Sequence, residues 1–193
     1  MCELLGLSYN VKIRPNLSFR GFLRGGEENP DGWGLAFYPD KSVQIIKEPL
    51  KANKSYMYRF IENYPRIKSK TFIAHVRRET GSSISHKNTH PFQRELNGID
   101  FSFAHNGTLN YHTSLDTSNF KPVGDSDSEY AFCHILNKIK KENIQKWEEN
   151  SFKWLYNLIG EINQQGKFNC LLSNGKFLFC YYVFVCGLFF SLH

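Results

Sequence analysis

The chain begins MCELLGLSY (residues 1–9), and this stretch predicts a buried strand that starts almost at the N-terminus. Cys2 leads the strand directly behind a methionine. If that methionine is removed, the residue carries both a thiol and the free α-amine of the chain. An α-amine has a pKa near ~8, so at neutral pH a useful fraction is unprotonated and can act as the base for the thiol. Cys2 is therefore a candidate nucleophile, although a small buried cysteine is the simpler explanation of this position taken alone.

Outward from this strand, the pattern of apolar residues predicts further strands and helices. Strands are expected at 33–38 and 42–47, at 71–76, at 100–105, and at 168–172 and 176–182, with the first and last pairs forming hairpins. Helices are expected at 54–63, at 126–141, where Ser126 and Glu129 suggest a capping box, and at 152–165. Polar loops occupy 25–32 and 84–91. This order, without a linker, predicts one α+β domain with sheets and helices in layers.

Composition excludes several classes of protein. Hydrophobic residues make up 41% and charged residues 22% of the 193-residue chain, which is enough apolar side chain for a packed core. The net charge of +6 comes from scattered lysines and arginines, so it indicates a solvated basic surface rather than a nucleic-acid site. Five cysteines without a CxxC pair predict neither a disulfide framework nor a zinc ribbon. The N-terminus has no secretory signal, so we expect a reducing, cytoplasmic compartment.

The dipeptide Asn106-Gly107 has two interpretations. Asn-Gly after an alternating strand is a common short hairpin turn. Alternatively, the Asn106 side-chain amide and the Gly107 backbone N–H can both point at a developing negative oxygen and form an oxyanion hole. The dipeptide alone does not decide between them.

Two charged residues are candidates for binding a free α-amino acid. Alternation along 71–78 places Arg77 on the more polar face of its strand and Arg78 on the apolar face, so Arg77 is the candidate to grip a carboxylate. Asp127, at the predicted start of a helix, would hold an ammonium group. The alternatives are a pair of solvated arginines at a strand end and an acidic residue favoured by the helix dipole.

The remaining motifs do not indicate a metal or a nucleotide. His86 and His90 are four residues apart, but they lie in a predicted loop and no HExxH motif occurs. No Walker or Rossmann glycine pattern is present. We therefore expect no cofactor and no metal.

Taken together, the motifs resemble a family. MCELLG at 1–6, DGWGLAF at 31–37, AHVR at 74–77, NTHPF at 88–92, AHNG at 104–107 and DSDSE at 125–129 occur in that order, and FNCLLSNG at 168–175 extends the series. The chain resembles the class II glutamine amidotransferases, whose glutaminase domain is an N-terminal-nucleophile (Ntn) hydrolase, and within them the short, stand-alone YafJ-type branch. The resemblance runs from Cys2 to about Tyr182.

The resemblance implies a fold and a set of roles. The fold is a four-layer αββα sandwich. Cys2 would attack the γ-amide carbon of glutamine and form a glutamyl thioester, with Asn106 and Gly107 as the oxyanion hole. Arg77 would bind the α-carboxylate, Asp127 would bind the α-amine, and His90 would line the same pocket.

Two departures from the family remain. Large members carry a second domain that uses the released ammonia, and this chain has no room for one, so either a separate acceptor protein supplies it or the enzyme is a simple amidohydrolase. A γ-glutamyl peptide or amide is an alternative substrate. Residues 183–193 form a divergent apolar tail after the 1–182 domain, which suggests a shortened chain with incomplete C-terminal strands; a catalytically silent homologue is a further alternative.

The apolar stretch at 177–192 also raises the alternative of a tail-anchored membrane protein. Its 16 residues would span only about 24 Å as a helix, whereas a bilayer core is ~30 Å thick. We therefore expect strand at 176–182 and no membrane anchor.

Overall fold

A computed structural model describes residues 2–15, 22, 29–79 and 81–183. The strands are β1 (Glu3–Ile13), β2 (Gly32–Phe37), β3 (Gln44–Glu48), β4 (Ser69–Arg77), β5 (Phe92–Leu96), β6 (Ile99–Leu109), β7 (Gly166–Ser173) and β8 (Leu178–Tyr181). The helices are α1 (Tyr56–Asn63), α2 (Asp127–Lys141) and α3 (Glu149–Asn163), with short 3-10 turns at Ala52–Lys54, His86–Asn88 and His112–Ser114.

The strands form two four-stranded antiparallel sheets. The N-sheet has the order β1-β4-β2-β3, and the C-sheet has the order β5-β6-β7-β8. A buried cluster covers the outer face of the N-sheet beneath α1, where Ile61 joins side chains such as Phe72 and Val76. A second cluster lies between the sheets and includes Ile73 and Leu171. A third packs α2 and α3 on the outer face of the C-sheet. The layers are therefore α, β, β, α, which confirms the predicted α+β sandwich.

Alternation along β4 is confirmed. Phe72, Ala74 and Val76 belong to the cluster beneath α1, whereas Ile73 packs in the cluster between the sheets. Side chains two residues apart share a face of a strand, so His75 and Arg77 follow Ile73 toward the inside of the sandwich.

The interpretation of Asn106-Gly107 as a hairpin turn is wrong. Both residues lie inside β6, where Asn106 pairs with Asn169 and Gly107 with Phe168 of β7. The Asn-Gly turn that the structure contains is Asn97-Gly98, which joins β5 to β6 at the opposite end of β6 and has positive φ at both residues (55° and 74°). The sequence pattern did not predict β5, a five-residue strand of mixed polarity that is stabilised by its pairing with β6.

The capping box predicted from Ser126 and Glu129 does not form at the start of α2. The helix begins at Asp127 as expected, but the Ser126 side chain makes no capping hydrogen bond. The Glu129 carboxylate accepts from the Gly124 backbone N–H instead, at 2.7 Å, and forms an ion pair with Arg94. A long-range charge partner thus replaces the local bond that the sequence pattern favours.

The structure tests only part of what the sequence predicts for the C-terminal region, because it describes the chain as far as residue 183. The strand expected at 176–182 is present as β8, paired antiparallel with β7. The tail beyond residue 183 and the first half of the loop expected at 25–32 lie outside the described residues. In the part of the chain that the structure describes, no helix is long and apolar enough to cross a membrane.

Candidate active site

Cys2 lies directly before β1, the edge strand of the N-sheet, beside the C-terminal end of the central strand β4. Because β1 runs antiparallel to β4, with Glu3 opposite Val76, the first residues of β1 come beside the last residues of β4. The Cys2 Sγ accepts a hydrogen bond from the Arg78 backbone N–H at 3.1 Å and lies 3.2 Å from the Arg78 carbonyl oxygen. The register between β1 and the buried strand β4 therefore fixes the position of the thiol.

The surroundings keep this thiol protonated at neutral pH. Burial raises the pKa of Cys2, and the Arg78 backbone hydrogen bond and the positive charge of Arg77 offset that effect only in part. A thiol with a raised pKa needs a base close by before it can act as a nucleophile. The chain's own α-amine at residue 2 would meet this requirement.

Asn106 joins the C-sheet to Cys2. Its side-chain Nδ2 donates to the Cys2 carbonyl oxygen at 2.6 Å, although the two residues are 104 positions apart. The neighbouring Gly107 lies where no side chain fits, since an added Cβ would come within 1.8 Å of the Lys167 carbonyl oxygen and 2.6 Å of His105 Nε2. The pair predicted as an oxyanion hole is therefore brought to the candidate nucleophile, on a strand rather than in a turn.

Arg77 is buried and held by the loop that follows it. Its guanidinium donates to Ser82 Oγ at 2.7 Å and to the carbonyl oxygens of Ser82 and Ser83 at 3.2 and 3.3 Å. Arg77 is 4% exposed, whereas Arg78 is exposed. The structure thus separates the two arginines as the strand pattern predicts and places Arg77 opposite the start of β1.

Asp127 connects the start of α2 to the end of β6. One carboxylate oxygen accepts from the Leu109 backbone N–H at 2.8 Å, and the other accepts from the Ser128 N–H and hydroxyl at 2.7 and 3.1 Å. Leu109 lies two residues beyond Gly107 on the same strand, so this helix end approaches the site through β6. These bonds fit the interpretation of Asp127 as a first-turn acid, and they orient its carboxylate as well.

His90, which the resemblance places in the lining of the substrate pocket, is buried in this structure. It is 4% exposed, its ring contacts that of His75 at a centroid distance of 4.3 Å with the two planes tilted by 39°, and Phe92 meets it edge-on at 4.6 Å. Neither ring nitrogen has a hydrogen-bond partner among the described residues. Burial lowers the pKa of His90 well below its usual value and that of His75 to about 3, so both rings are neutral.

Three residues near the site were not predicted from the sequence. His75 supports the ring of His90, and His105 contacts Ser128 Oγ through Nδ1 at 2.8 Å. Lys47 donates to the Thr89 carbonyl oxygen at 2.6 Å, and burial lowers its pKa to about 8. His75 and His105 occur inside the AHVR and AHNG motifs, so these motifs could have identified both residues. Lys47 lies outside the quoted motifs, and no sequence pattern singles it out.

The described residues contain no group of three or more His, Cys, Asp or Glu side chains placed to hold a metal ion. Cys2, Cys133, Cys170 and Cys180 are all free thiols in this part of the chain.

Comparison with known proteins places this geometry in a family. The family model described as class II glutamine amidotransferases matches residues 1–184. An uncharacterised protein of Methanocaldococcus jannaschii is 44% identical over 181 residues, which is 94% of this chain and 50% of that protein. The Escherichia coli protein YafJ, whose name assigns it to the glutamine amidotransferases, is 41% identical over 94% of this chain and 72% of its own length.

Solved structures agree with this assignment. The structure of a predicted glutamine amidotransferase from Pseudomonas aeruginosa has a TM-score of 0.71 and 33% identity, covering 94% of this chain and 72% of that one. The glutamine phosphoribosylpyrophosphate amidotransferase of Bacillus subtilis has a TM-score of 0.67 at 16% identity, covering 93% of this chain and 36% of that one, and it shows the fold alone. This chain spans half of the Methanocaldococcus jannaschii protein, 72% of YafJ and of the Pseudomonas aeruginosa protein, and 36% of the Bacillus subtilis enzyme.

Proposed function

The chain belongs to the class II glutamine amidotransferases, a family of enzymes, and from that membership we propose that it cleaves the γ-carboxamide of glutamine through a Cys2 glutamyl thioester. The observation that carries the proposal is the contact between Asn106 Nδ2 and the Cys2 carbonyl oxygen. It brings the candidate oxyanion hole of the C-sheet to the candidate nucleophile of the N-sheet.

The proposed reaction begins after Met1 is removed. The α-amine of Cys2 takes the thiol proton, and the thiolate attacks the γ-carbon of glutamine. Negative charge then develops on the amide oxygen. The amide group of Asn106 has two N–H donors, one of which is on the Cys2 carbonyl, so the other and the Gly107 N–H can stabilise this oxygen.

Collapse of the intermediate completes the first half of the reaction. The protonated α-amine gives its proton to the leaving nitrogen, ammonia departs, and the thioester remains on Cys2. A water molecule then attacks the thioester and releases glutamate. The sum is glutamine and water giving glutamate and ammonia, with the thiol restored.

We propose that the substrate is held by its α-amino acid head. Arg77 binds the α-carboxylate as a bidentate partner, and Asp127 binds the α-ammonium group. His90 then supports this pocket from below with a neutral ring rather than bonding the substrate as a charged group. The same grip would serve a γ-glutamyl peptide or amide, which is the second candidate substrate.

The rest of the proposal concerns the setting of the enzyme. We propose that residues 1–182 form the glutaminase domain and that a separate protein uses the ammonia. The free thiols are consistent with a reducing, cytoplasmic compartment. A catalytically silent homologue remains the alternative that an activity measurement removes.

The test is release of ammonia and glutamate from L-glutamine and from γ-glutamyl compounds by the full chain, with mass spectrometry of the N-terminal peptide. We expect a protein that starts at Cys2 and an activity that Cys2→Ala abolishes. Cys180→Ser is the matched control because Cys180 is exposed and lies on β8, and this variant should remain active. Activity that persists in Cys2→Ala would refute the thioester mechanism.

A further inference from the structure

Asn88 is a buried polar side chain that the proposed mechanism does not use. It ends the 3-10 turn His86–Asn88 and is 0% exposed. Its Nδ2 donates to Ser83 at the carbonyl oxygen and at Oγ, both at 3.0 Å, and to the Asp125 carboxylate. Its Oδ1 accepts from the Asp125 backbone N–H at 3.0 Å. One side chain therefore binds two segments that are far apart in the sequence.

Each of these two segments contacts or leads to one of the two residues proposed to bind the substrate, Arg77 or Asp127. Ser83 belongs to the loop whose carbonyl oxygens and serine hydroxyl hold the Arg77 guanidinium. Asp125 comes two residues before Asp127, at the start of α2. The continuous path is Arg77, the Ser82-Ser83 loop, Asn88, Asp125 and Asp127.

The packing around Asn88 leaves little freedom in this path. A Cβ on Gly124 would come within 2.1 Å of Asn88 Oδ1, so the backbone before Asp125 lies directly against the amide. The Asp125 carboxylate is 59% exposed and lies 3.9 Å from Lys87, with which it forms a surface ion pair. The inward bond to Asn88 is the more restrictive of the two contacts, because exposed ion pairs contribute little.

We propose that Asn88 is a positioning residue that sets the separation of Arg77 and Asp127, and so makes the site selective for a free α-amino acid head. The inference rests on the proposed function. Two groups that bind the carboxylate and the ammonium of one small molecule must be held at a fixed distance, and a displacement of about 1 Å is enough to cost a large part of the rate. Asn88 is the side chain that connects the two.

The experiment compares two reagents that carry the same reactive group. One is L-glutamine with its γ-amide replaced by a chloromethyl ketone, and the other is chloroacetone, which has no amino acid head. The measured quantity is the ratio of their second-order rates of alkylation at Cys2. We expect Asn88→Ala to lower the rate with the glutamine analogue about tenfold, in line with the loss of a buried hydrogen-bonding group, and to leave the chloroacetone rate within about twofold.

Variants of the exposed residues Asp125 and Lys87 provide a series to compare with Asn88→Ala. Asp125→Ala removes one acceptor of Asn88 from an exposed position and should lower the same ratio about threefold. Asp125→Asn keeps an oxygen acceptor, and Lys87→Ala removes only the ion pair, so both should keep the wild-type ratio. Should Asn88→Ala fail to fold, the difference between Asp125→Ala and Asp125→Asn decides the question.

The outcomes separate the two proposals. A wild-type preference for the glutamine analogue that persists in Asn88→Ala and Asp125→Ala would overturn the role of Asn88 and leave the proposed function intact. A fall in both alkylation rates together would assign Asn88 to general stability and overturn the role as well. Equal rates of the two reagents in the wild-type protein would overturn the proposed function, and this inference with it.

Discussion

Adjacent arginines at the end of β4 have different surroundings, and that difference is testable. Arg77 is buried beside the candidate nucleophile, whereas Arg78 is exposed and contributes its backbone to Cys2. Losing one partner of a buried charged pair costs about 2–5 kcal/mol. We therefore expect Arg77→Ala and Asp127→Ala each to lower kcat/KM for glutamine by roughly 30- to 4,000-fold. Arg78→Ala, the control, should have little effect; a larger loss in Arg78→Ala than in Arg77→Ala would contradict the assignment.

At the scale of the secondary-structure elements, replacing two different glycines with alanine should change the free energy of unfolding in opposite directions. Gly107 lies in β6, where a Cβ would collide with the Lys167 carbonyl. Gly160 lies in α3, and among the described residues outside its own helix backbone the nearest atom to an added Cβ is Tyr181 Oη, at 3.8 Å. Gly107→Ala should lower the free energy of unfolding by at least about 2 kcal/mol, because β7 must move away. Gly160→Ala should raise it by about 0.5–1 kcal/mol, since alanine favours a helix. Urea denaturation of both variants measures this, and a Gly107→Ala protein as stable as wild type would be inconsistent with the β6–β7 spacing.

At the scale of the whole molecule, three buried histidines make the fold sensitive to acid. Burial lowers the pKa of His75 to about 3 and lowers those of His90 and His105 as well. Between pH 6.5 and about 3 the unfolded chain binds a proton at His75 that the folded protein does not, so the free energy of unfolding falls as the pH falls through this window. His75 alone should contribute a loss of about 2 kcal/mol between pH 7.5 and 5.0.

Urea denaturation at those two pH values tests the acid sensitivity. The carboxyl groups whose pKa values are lowered, such as Asp100 and Asp125, take up protons mainly below pH 5.0, so they contribute little to the difference between these two measurements. His75→Asn cannot take up the proton, so the pH dependence of its stability should be smaller by about one proton. An unchanged slope in that variant would show that His75 does not cause the effect.

Much of the fold follows from local sequence. The alternation of β4 and the helical spacing of α2 are repeated patterns within one segment, and each predicted the correct element and the correct buried face. The family motifs predicted the αββα sandwich and named Cys2, Arg77 and Asn106, which the structure places around the start of β1. The motifs predicted Cys2 before its strand and Arg77 at the end of β4 correctly, whereas Asn106 lies within β6.

What the tertiary structure decided depends on contacts between distant segments. Asn106-Gly107 has the local preferences of a turn, yet pairing with β7 extends it into a strand. Ser126 and Glu129 have the spacing of a capping box, yet Arg94 draws the carboxylate away. Asn88 occurs in the NTHPF motif, but that motif does not indicate its contacts, because its partners lie 5 and 37 residues away. Sequence therefore determined those elements that have a regular apolar pattern of their own, whereas the folded chain decided β5, through its pairing with β6, and the polar contacts, because a hydrogen bond depends on which groups packing brings within about 3 Å.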